Sequence, residues 1–208
     1  MKKGILVLTV IAIFVLTISG VVVAENTVQL RAGYLNYLDD KIELSEGLTM
    51  IRGEVTVSAL RGDYFREEQE AELEDEIEMT FGQGKIISRR LTAFLETNRY
   101  VFREEVEFTR EQGPRIIVLK APYLEVDEEA DTFTAREGVE IDYEGRILRS
   151  REAHYEGESD QLQLSGDVEI EEDDGDWIRG QRAVFYPGAE EDSFQVEDEV
   201  ELEIDLGS

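Results

Sequence analysis

Chemistry needs nucleophiles, bases, metal ligands or cofactor loops, and this sequence offers few of them. It has no Cys and a single His, His154, which excludes disulfides, thiolates, zinc–thiolate sites and His-rich metal sites together. His154 sits between Ala153 and Tyr155 on the opposite parity, so on a strand it faces solvent. The run Glu171-Glu172-Asp173-Asp174-Gly175-Asp176 carries oxygen ligands of the kind Ca²⁺ takes, but it lacks the spacing of a calcium loop and reads as a solvated hairpin tip. The single Trp177 opens the next strand as a rim packing residue. No nucleophile–base pair or cofactor loop appears. The expectation is a chain that is not an enzyme and needs no cofactor or metal.

The elements that would position such residues are bounded by length and charge. A chain of 208 residues with 41% hydrophobic content is long and apolar enough to bury a core. Its 49 Asp+Glu against 21 Lys+Arg give a net charge of −28, which excludes nucleic acid as a partner, because affinity for phosphate backbones comes from Lys and Arg. Lys2 and Lys3 precede an uncharged apolar run over 4–23, and Val22-Val23-Ala24 ends it with small residues. This describes a secretory signal peptide or, given its length, an N-terminal membrane anchor. Either way residues 25–208 form an exported domain, tethered to the inner membrane if 4–23 is retained.

The exported part repeats. A small residue, any residue and an aromatic recur as Ala32-Gly33-Tyr34, Gly62-Asp63-Tyr64, Thr92-Ala93-Phe94, Ala121-Pro122-Tyr123, Ala153-His154-Tyr155 and Ala183-Val184-Phe185, with aromatics 30, 30, 29, 32 and 30 residues apart. Each is followed by a second motif: Leu48-Thr49-Met50, Ile77-Glu78-Met79, Val106-Glu107-Phe108, Val139-Glu140-Ile141, Val168-Glu169-Ile170 and Val200-Glu201-Leu202. Self-similarity at this period marks a stacked repeat architecture. The local period is 2, as where Ala71, Leu73, Ile77, Met79 and Phe81 alternate with Glu72, Glu74, Glu76 and Glu78, which predicts half-buried antiparallel strands. Short polar or Gly-containing stretches such as Asp39-Asp40, Arg52-Gly53 and Glu144-Gly145 read as hairpin turns. Each repeat thus gives about two long strands. One position per copy breaks the apolar alternation: Glu46, Asp75, Glu104, Glu137, Gly166 and Asp198. It is either a bulge where the strand turns a corner or a turn between two shorter strands.

The repeated small-x-aromatic, acidic turn and Leu-x-Leu-x-Gly-Asp-Val-x-Ile pattern resembles the OstA-like (LptA) family of lipopolysaccharide-transport proteins, which includes both soluble and anchored members. It is nearest in Ala153-His154-Tyr155 followed by Leu162-Gln163-Leu164-Ser165-Gly166-Asp167-Val168-Glu169-Ile170, and it covers roughly residues 28–206. The resemblance implies an all-β fold, an elongated, stacked antiparallel β-jellyroll (a folded-over sheet) built from about six 30-residue repeats. It also implies lipid acyl chains carried in the apolar interior, across the periplasm towards the outer membrane.

The residues themselves support a folded sheet with one apolar inner face, which is a packed core if shut and a hydrocarbon slot if open. The inner-face candidates for lipid contact are Met50, Met79, Phe81, Phe102, Phe108, Phe133, Val139, Ile141, Leu164, Val168 and Ile170. The six motif aromatics mark a packing layer or line the same slot. Arg89, Arg90, Arg103, Arg146, Arg149 and Arg151 lie in or beside strands, where they pair with cross-strand Glu or meet lipid phosphates. The first strand, around Val28–Tyr37, and the last, Val200–Ile204, lack the charged or Pro-blocked edges that prevent pairing. They predict head-to-tail homo-oligomers, or pairing with other envelope transport proteins. The resemblance implies lipopolysaccharide or a related amphipathic lipid as the bound partner; the alternative is a structural or interaction repeat protein of the envelope with a filled core.

Overall fold

The computed structural model describes residues 27–112, 115–186 and 193–204. The expected signal or anchor (1–24) and the turn residues Gly113-Pro114 and Pro187-Gly188-Ala189 lie outside the described residues. Among the described residues there is no helix, and no helical span long and apolar enough to cross a membrane.

Fourteen strands form one antiparallel sheet: β1 (Gln29–Tyr37), β2 (Lys41–Arg52), β3 (Val55–Ala59), β4 (Arg61–Phe65), β5 (Glu70–Phe81), β6 (Gly84–Phe94), β7 (Arg99–Gln112), β8 (Arg115–Asp127), β9 (Thr132–Tyr143), β10 (Arg146–Glu156), β11 (Gln161–Glu171), β12 (Trp177–Tyr186), β13 (Ser193–Glu197) and β14 (Glu201–Glu203). β3 and β4 are two halves of one rung, since both pair with β2 and β5. β13 and β14 likewise share the last rung against β12. The described residues therefore form a meander of twelve rungs, two per repeat, each bonded to its sequence neighbours.

The recurrent defect is a corner. At each of the six positions two consecutive residues take left-handed backbone: Glu46-Gly47, Asp75-Glu76, Glu104-Glu105, Glu137-Gly138, Gly166-Asp167 and Asp198-Glu199. β2, β5, β7, β9 and β11 run through it as continuous strands, so the bulge reading holds there; at Asp198-Glu199 the chain breaks into β13 and β14, so the turn reading holds once. The pairing register shifts by one residue across the corner, the mark of an extra residue on the acidic strand. Backbone bonds cross it, with the Leu60 amide donating to the Asp75 carbonyl at 3.0 Å and the Gln181 amide to Asp198 at 3.0 Å.

Left-handed backbone costs an L-residue about 1–2 kcal/mol, which is why Gly takes one position in three of the six copies. The acidic residues at the corner face outward and meet arginines of the neighbouring rung: Arg61 with Asp75 (3.2 Å), Arg90 with Glu104 (3.2 Å), Arg89 with Glu105 (3.6 Å), Arg182 with Asp198 (2.7 Å) and Arg151 with Asp167. Exposed pairs of this kind contribute about 0–1 kcal/mol each, so they decorate the corner and do not cause it. The cause is burial. The corner folds the sheet so that the apolar sides of its two arms face one another. Buried Leu44, Leu73, Phe102, Ala135 and Leu164 line one arm, and Met50, Met79, Phe108, Ile141 and Ile170 the other. Each large side chain taken from water this way contributes about 1.5–3 kcal/mol.

Candidate functional site

Cross-strand register sorts the inner face into rows. On the first arm Tyr64, Ala71, Ala93, Tyr100, Val126, Phe133, Tyr155, Leu162, Phe185 and Phe194 are successive partners. On the second arm Leu30, Met50, Val57, Met79, Ile86, Phe108, Leu119, Ile141, Leu148, Ile170, Ile178 and Leu202 follow one another. The interior is thus two apolar strips running the length of the sheet.

Of the eleven inner-face candidates, Met50, Met79, Phe102, Phe108, Val139, Ile141, Leu164, Val168 and Ile170 are buried in one cluster. Phe81 and Phe133 pack against it half-buried, where the free ends of the arms meet. That meeting line is a seam. Phe81 stacks on Phe108 (6.1 Å between centroids), Phe108 meets the edge of Phe133 (5.8 Å), and Phe133 stacks on Tyr155 (5.3 Å). Tyr143 and Phe185 close the next stretch edge to face at 4.9 Å. The cavity behind these rings, lined by Phe108, Ile117, Phe133, Tyr143, Tyr155 and Phe185 among others, measures about 30 Å³, room for one water molecule. The interior as it stands is packed.

Contacts across the seam are offset. Phe108 of β7 meets Phe133 of β9, Arg110 of β7 lies 6.0 Å from the Tyr155 ring of β10, and Arg146 of β10 lies 5.4 Å from Phe194 of β13. The second arm of one rung therefore faces the first arm of a rung two or three further on. In consequence, the first arm of β1 is uncovered at one end, with Leu35 and Tyr37 49% and 58% exposed. The second arm of the last rung is uncovered at the other, with Val200 and Leu202 53% and 56% exposed.

The lips of the seam differ in charge. The inner parity of the second arm ends in Arg52, Arg110 and Arg146, opposite Val55, Ile117 and Tyr143. The hairpin tips of the first arm bring Glu128, Asp131 and Asp160. The Tyr155 hydroxyl donates to Asp160 at 3.0 Å. Burial, then Asp160, pushes the Tyr155 phenol above its ordinary range, and burial, then Glu128, does the same to Tyr100.

Three of the six motif aromatics are not on the inner face. Tyr34 is exposed opposite Ser45; Phe94 lies opposite Glu70 with Arg99 4.2 Å over its ring; Tyr123 sits on the outer face between Arg103 and Arg136, each 5.6 Å from its ring. Only Tyr64, Tyr155 and Phe185 face inward. The reason is phase. Every one of these strands steps three residues between inward positions at the corner (Ala32 to Leu35, Ser88 to Leu91, Ala121 to Leu124, and likewise Ser150 to Ala153 and Gly180 to Ala183). Tyr64, Tyr155 and Phe185 stand two residues past the first inward position after it, whereas Tyr34, Phe94 and Tyr123 fall an odd number of residues from that position. Tyr37, Tyr100 and Phe133 hold the inward aromatic positions instead. Ser88 and Ser150 were not singled out from sequence; both are buried at the corner, their hydroxyls donating to the Arg90 and Glu152 carbonyls at 3.1 and 3.0 Å.

His154 is on the outer parity, opposite Thr134 and Gln163, with Nδ1 3.0 Å from the Thr134 hydroxyl. Trp177 opens β12 on the outer face with Arg179 4.2 Å over its ring. Residues 172–176 form a hairpin tip closed by the Glu172 amide on the Asp176 carbonyl at 2.8 Å. Arg149 donates to Glu140, Glu169 and Glu171 at 2.9–3.1 Å, Arg146 meets Glu172 at 2.7 Å, and Arg103 donates to the Thr92 hydroxyl at 3.4 Å. Among the described residues no group of His, Asp and Glu is arranged to hold a metal ion.

No protein-family model matches the chain, and no curated protein does. Among solved structures it is similar to LptH of Pseudomonas aeruginosa, described as the LptA-homologous periplasmic component of the lipopolysaccharide transport device. The identity is 9%, over 62% of this chain and 76% of that one, with a TM-score of 0.43. That likeness is too slight to carry an argument about what this chain binds.

Proposed function

We propose that this chain is a non-catalytic protein of the periplasm that holds amphipathic lipid, of lipopolysaccharide type, against its apolar inner face and passes it along copies or envelope partners joined edge to edge. The observation that carries the reading is the uncovered ends. The inner strips run through every rung and emerge on opposite arms, Leu35 and Tyr37 at one end, Val200 and Leu202 at the other. Two such ledges are complementary: a second copy added in register brings its first arm over the exposed second arm of the first and continues both strips. Apolar strips exposed at both ends of the described sheet fit a surface that continues into a neighbour. Lipid enters this interior by parting the aromatic seam, where Phe81 and Phe133 are only half-buried.

A second reading, a structural repeat protein with a permanently filled core, is favoured by the cavity of only about 30 Å³. Purification of the full chain without detergent, followed by organic extraction, separates the two. Co-purified amphipathic lipid at close to one per chain is expected, and its absence from both envelope-expressed and lipid-incubated protein overturns lipid carriage. Sedimentation tests the assembly. Oligomers should grow with concentration in high salt, where repulsion between acidic chains is screened, and Tyr37→Asp and Leu202→Asp should each reduce them. The last strand is Glu201–Glu203, shorter than the expected Val200–Ile204, so a ledge substitution probes this end better than a proline at Val200.

A further inference from the structure

We infer that Arg52 and Arg110 are anion-recognition points on the lip of the seam, each placed to hold the phosphate or carboxylate of an amphipath whose chain enters beside Tyr100 or Tyr155. The inference rests on the lipid reading above and names the chemistry of the ligand's polar end.

Four observations support it. The inward rows of the second arm are apolar until their last position, where the guanidinium groups stand. Arg146, the third, is taken by Glu172 at 2.7 Å, whereas among the described residues neither Arg52 nor Arg110 is in an ion pair. One guanidinium nitrogen of Arg52, Nη1, is shielded from solvent with no hydrogen-bond acceptor, a costly state for a charged donor that an anionic oxygen would relieve. Arg110 and Asp160 are the charged residues on the wall of the apolar cavity, so this small hydrocarbon-like space has a cation beside a carboxylate on its wall.

The two positions repeat the same design. Tyr100 interacts with both Arg52 and Glu128, and Tyr155 donates to Asp160 at 3.0 Å with Arg110 6.0 Å from its ring. In the unliganded protein each tyrosine thus meets both an arginine and a hairpin carboxylate. A phosphate or carboxylate arriving with its chain pointed inward replaces that loose arrangement with a charge-assisted, bidentate pair on the guanidinium. A free anion lacks the compensating burial and must approach a molecule of net charge −28 past Glu128, Asp131 and Asp160. The geometry therefore selects an anion carried on a hydrocarbon chain.

The test measures equilibrium binding to the full chain of dodecyl phosphate, dodecyl maltoside and inorganic phosphate, below the micelle threshold. Dodecyl phosphate should bind about tenfold more tightly than dodecyl maltoside, and inorganic phosphate should not bind detectably. Raising salt should erode the preference while leaving maltoside binding unchanged or stronger. Arg110→Gln, and more so with Arg52→Gln, should abolish the preference while maltoside still binds, and Arg110→Lys should keep part of it. Equal binding of the two dodecyl compounds by the unaltered chain, or equal loss of both in Arg110→Gln, overturns the assignment and leaves the lipid reading intact. Phosphate binding as tight as dodecyl phosphate points to a free-anion site and overturns it too. If neither amphipath binds, the lipid reading falls and takes the assignment with it. The salt series on the unaltered chain decides the matter even if the variants fail to fold.

Discussion

The corner and the seam both run the length of the sheet, and they are built in opposite ways. The corner is local: two left-handed residues in each acidic strand, a one-residue register shift and exposed Arg–carboxylate pairs. The seam is non-local. Phe108 and Phe133 are 25 positions apart in sequence, and the arms they close come from different rungs. A corner held by backbone conformation is fixed once the strand forms. A seam closed by rings and lip charges from distant rungs is set only when those rungs come to rest together, so it is the part of the fold that the local sequence controls least.

The comparison breaks most sharply in the core behind the seam. Ile141 is 2% exposed on the inner row, and Ile141→Asp places an unpaired carboxylate there. The loss should exceed about 4 kcal/mol, read as a collapse of the urea midpoint or failure to accumulate folded protein. Glu140→Gln, one residue away on the outer face, should cost under about 1 kcal/mol. Equal damage from the two would show that the inner and outer faces are misassigned. At the seam itself, Phe133→Ala removes a ring that is only half-buried and should cost about 2 kcal/mol, less than full burial would imply. It should also raise hydrogen exchange along the hairpin tips of the first arm and leave the corner amides protected.

The corner predicts a smaller effect with a sign that depends on the residue. Gly138 has φ of 98° and open space where a Cβ would stand, so Gly138→Val should cost about 1–2 kcal/mol through backbone strain alone. Glu105→Gly should be neutral or stabilising by up to about 1 kcal/mol, since it relieves a left-handed Glu at φ 55° and gives up only an exposed ion pair. Thermal unfolding of the two variants checks both signs. A Glu105→Gly variant clearly less stable than the parent would mean that the corner depends on its ion pairs after all.

The same division explains what could be read from the sequence. Alternation in Ala71, Leu73, Ile77 and Met79, the acidic defect at Asp75 and the turn residues are local signals, and they give the strands, the corner and the second motif's rows. Five of the six second motifs are buried; the sixth, Val200 and Leu202, is exposed, since among the described residues no further arm lies over it. The first motif fails at Tyr34, Phe94 and Tyr123 because all these strands change face at the corner and, matched by residue type alone, those three copies fall out of phase with that change. That change is visible only once the partner strand's extra residue is known. The offset between the arms, and with it the seam, the lip arginines and the open ledges, depends on how two distant halves of the sheet come to rest together. No residue spacing records that.

The smallest effect lies on the outer face, away from both corner and seam. Glu169 of β11 accepts from Arg179 at 2.7 Å and from Arg149 at 3.1 Å. The Arg179 hydrogen bond, and then Arg149, hold its carboxyl below the usual glutamate range. A folded-state value below the unfolded one means that the unfolded chain binds more protons in acid. The contribution is therefore whole above the ordinary glutamate range and is lost as pH falls through the depressed value. Glu169 keeps 27% of its side chain exposed, so solvent screening limits that contribution to under about 1 kcal/mol. Glu169→Gln should then lower stability slightly at neutral pH, remove part of the acid limb of a stability–pH curve, and leave the limb near and above neutrality parallel to the parent's. A loss at neutral pH larger than that of Gly138→Val would mean that charge ladders across the outer face, such as Glu140–Arg149–Glu169–Arg179, hold the second arm flat. The contrast between a backbone-set corner and a side-chain-set seam would then have to give way to a sheet tensioned from outside.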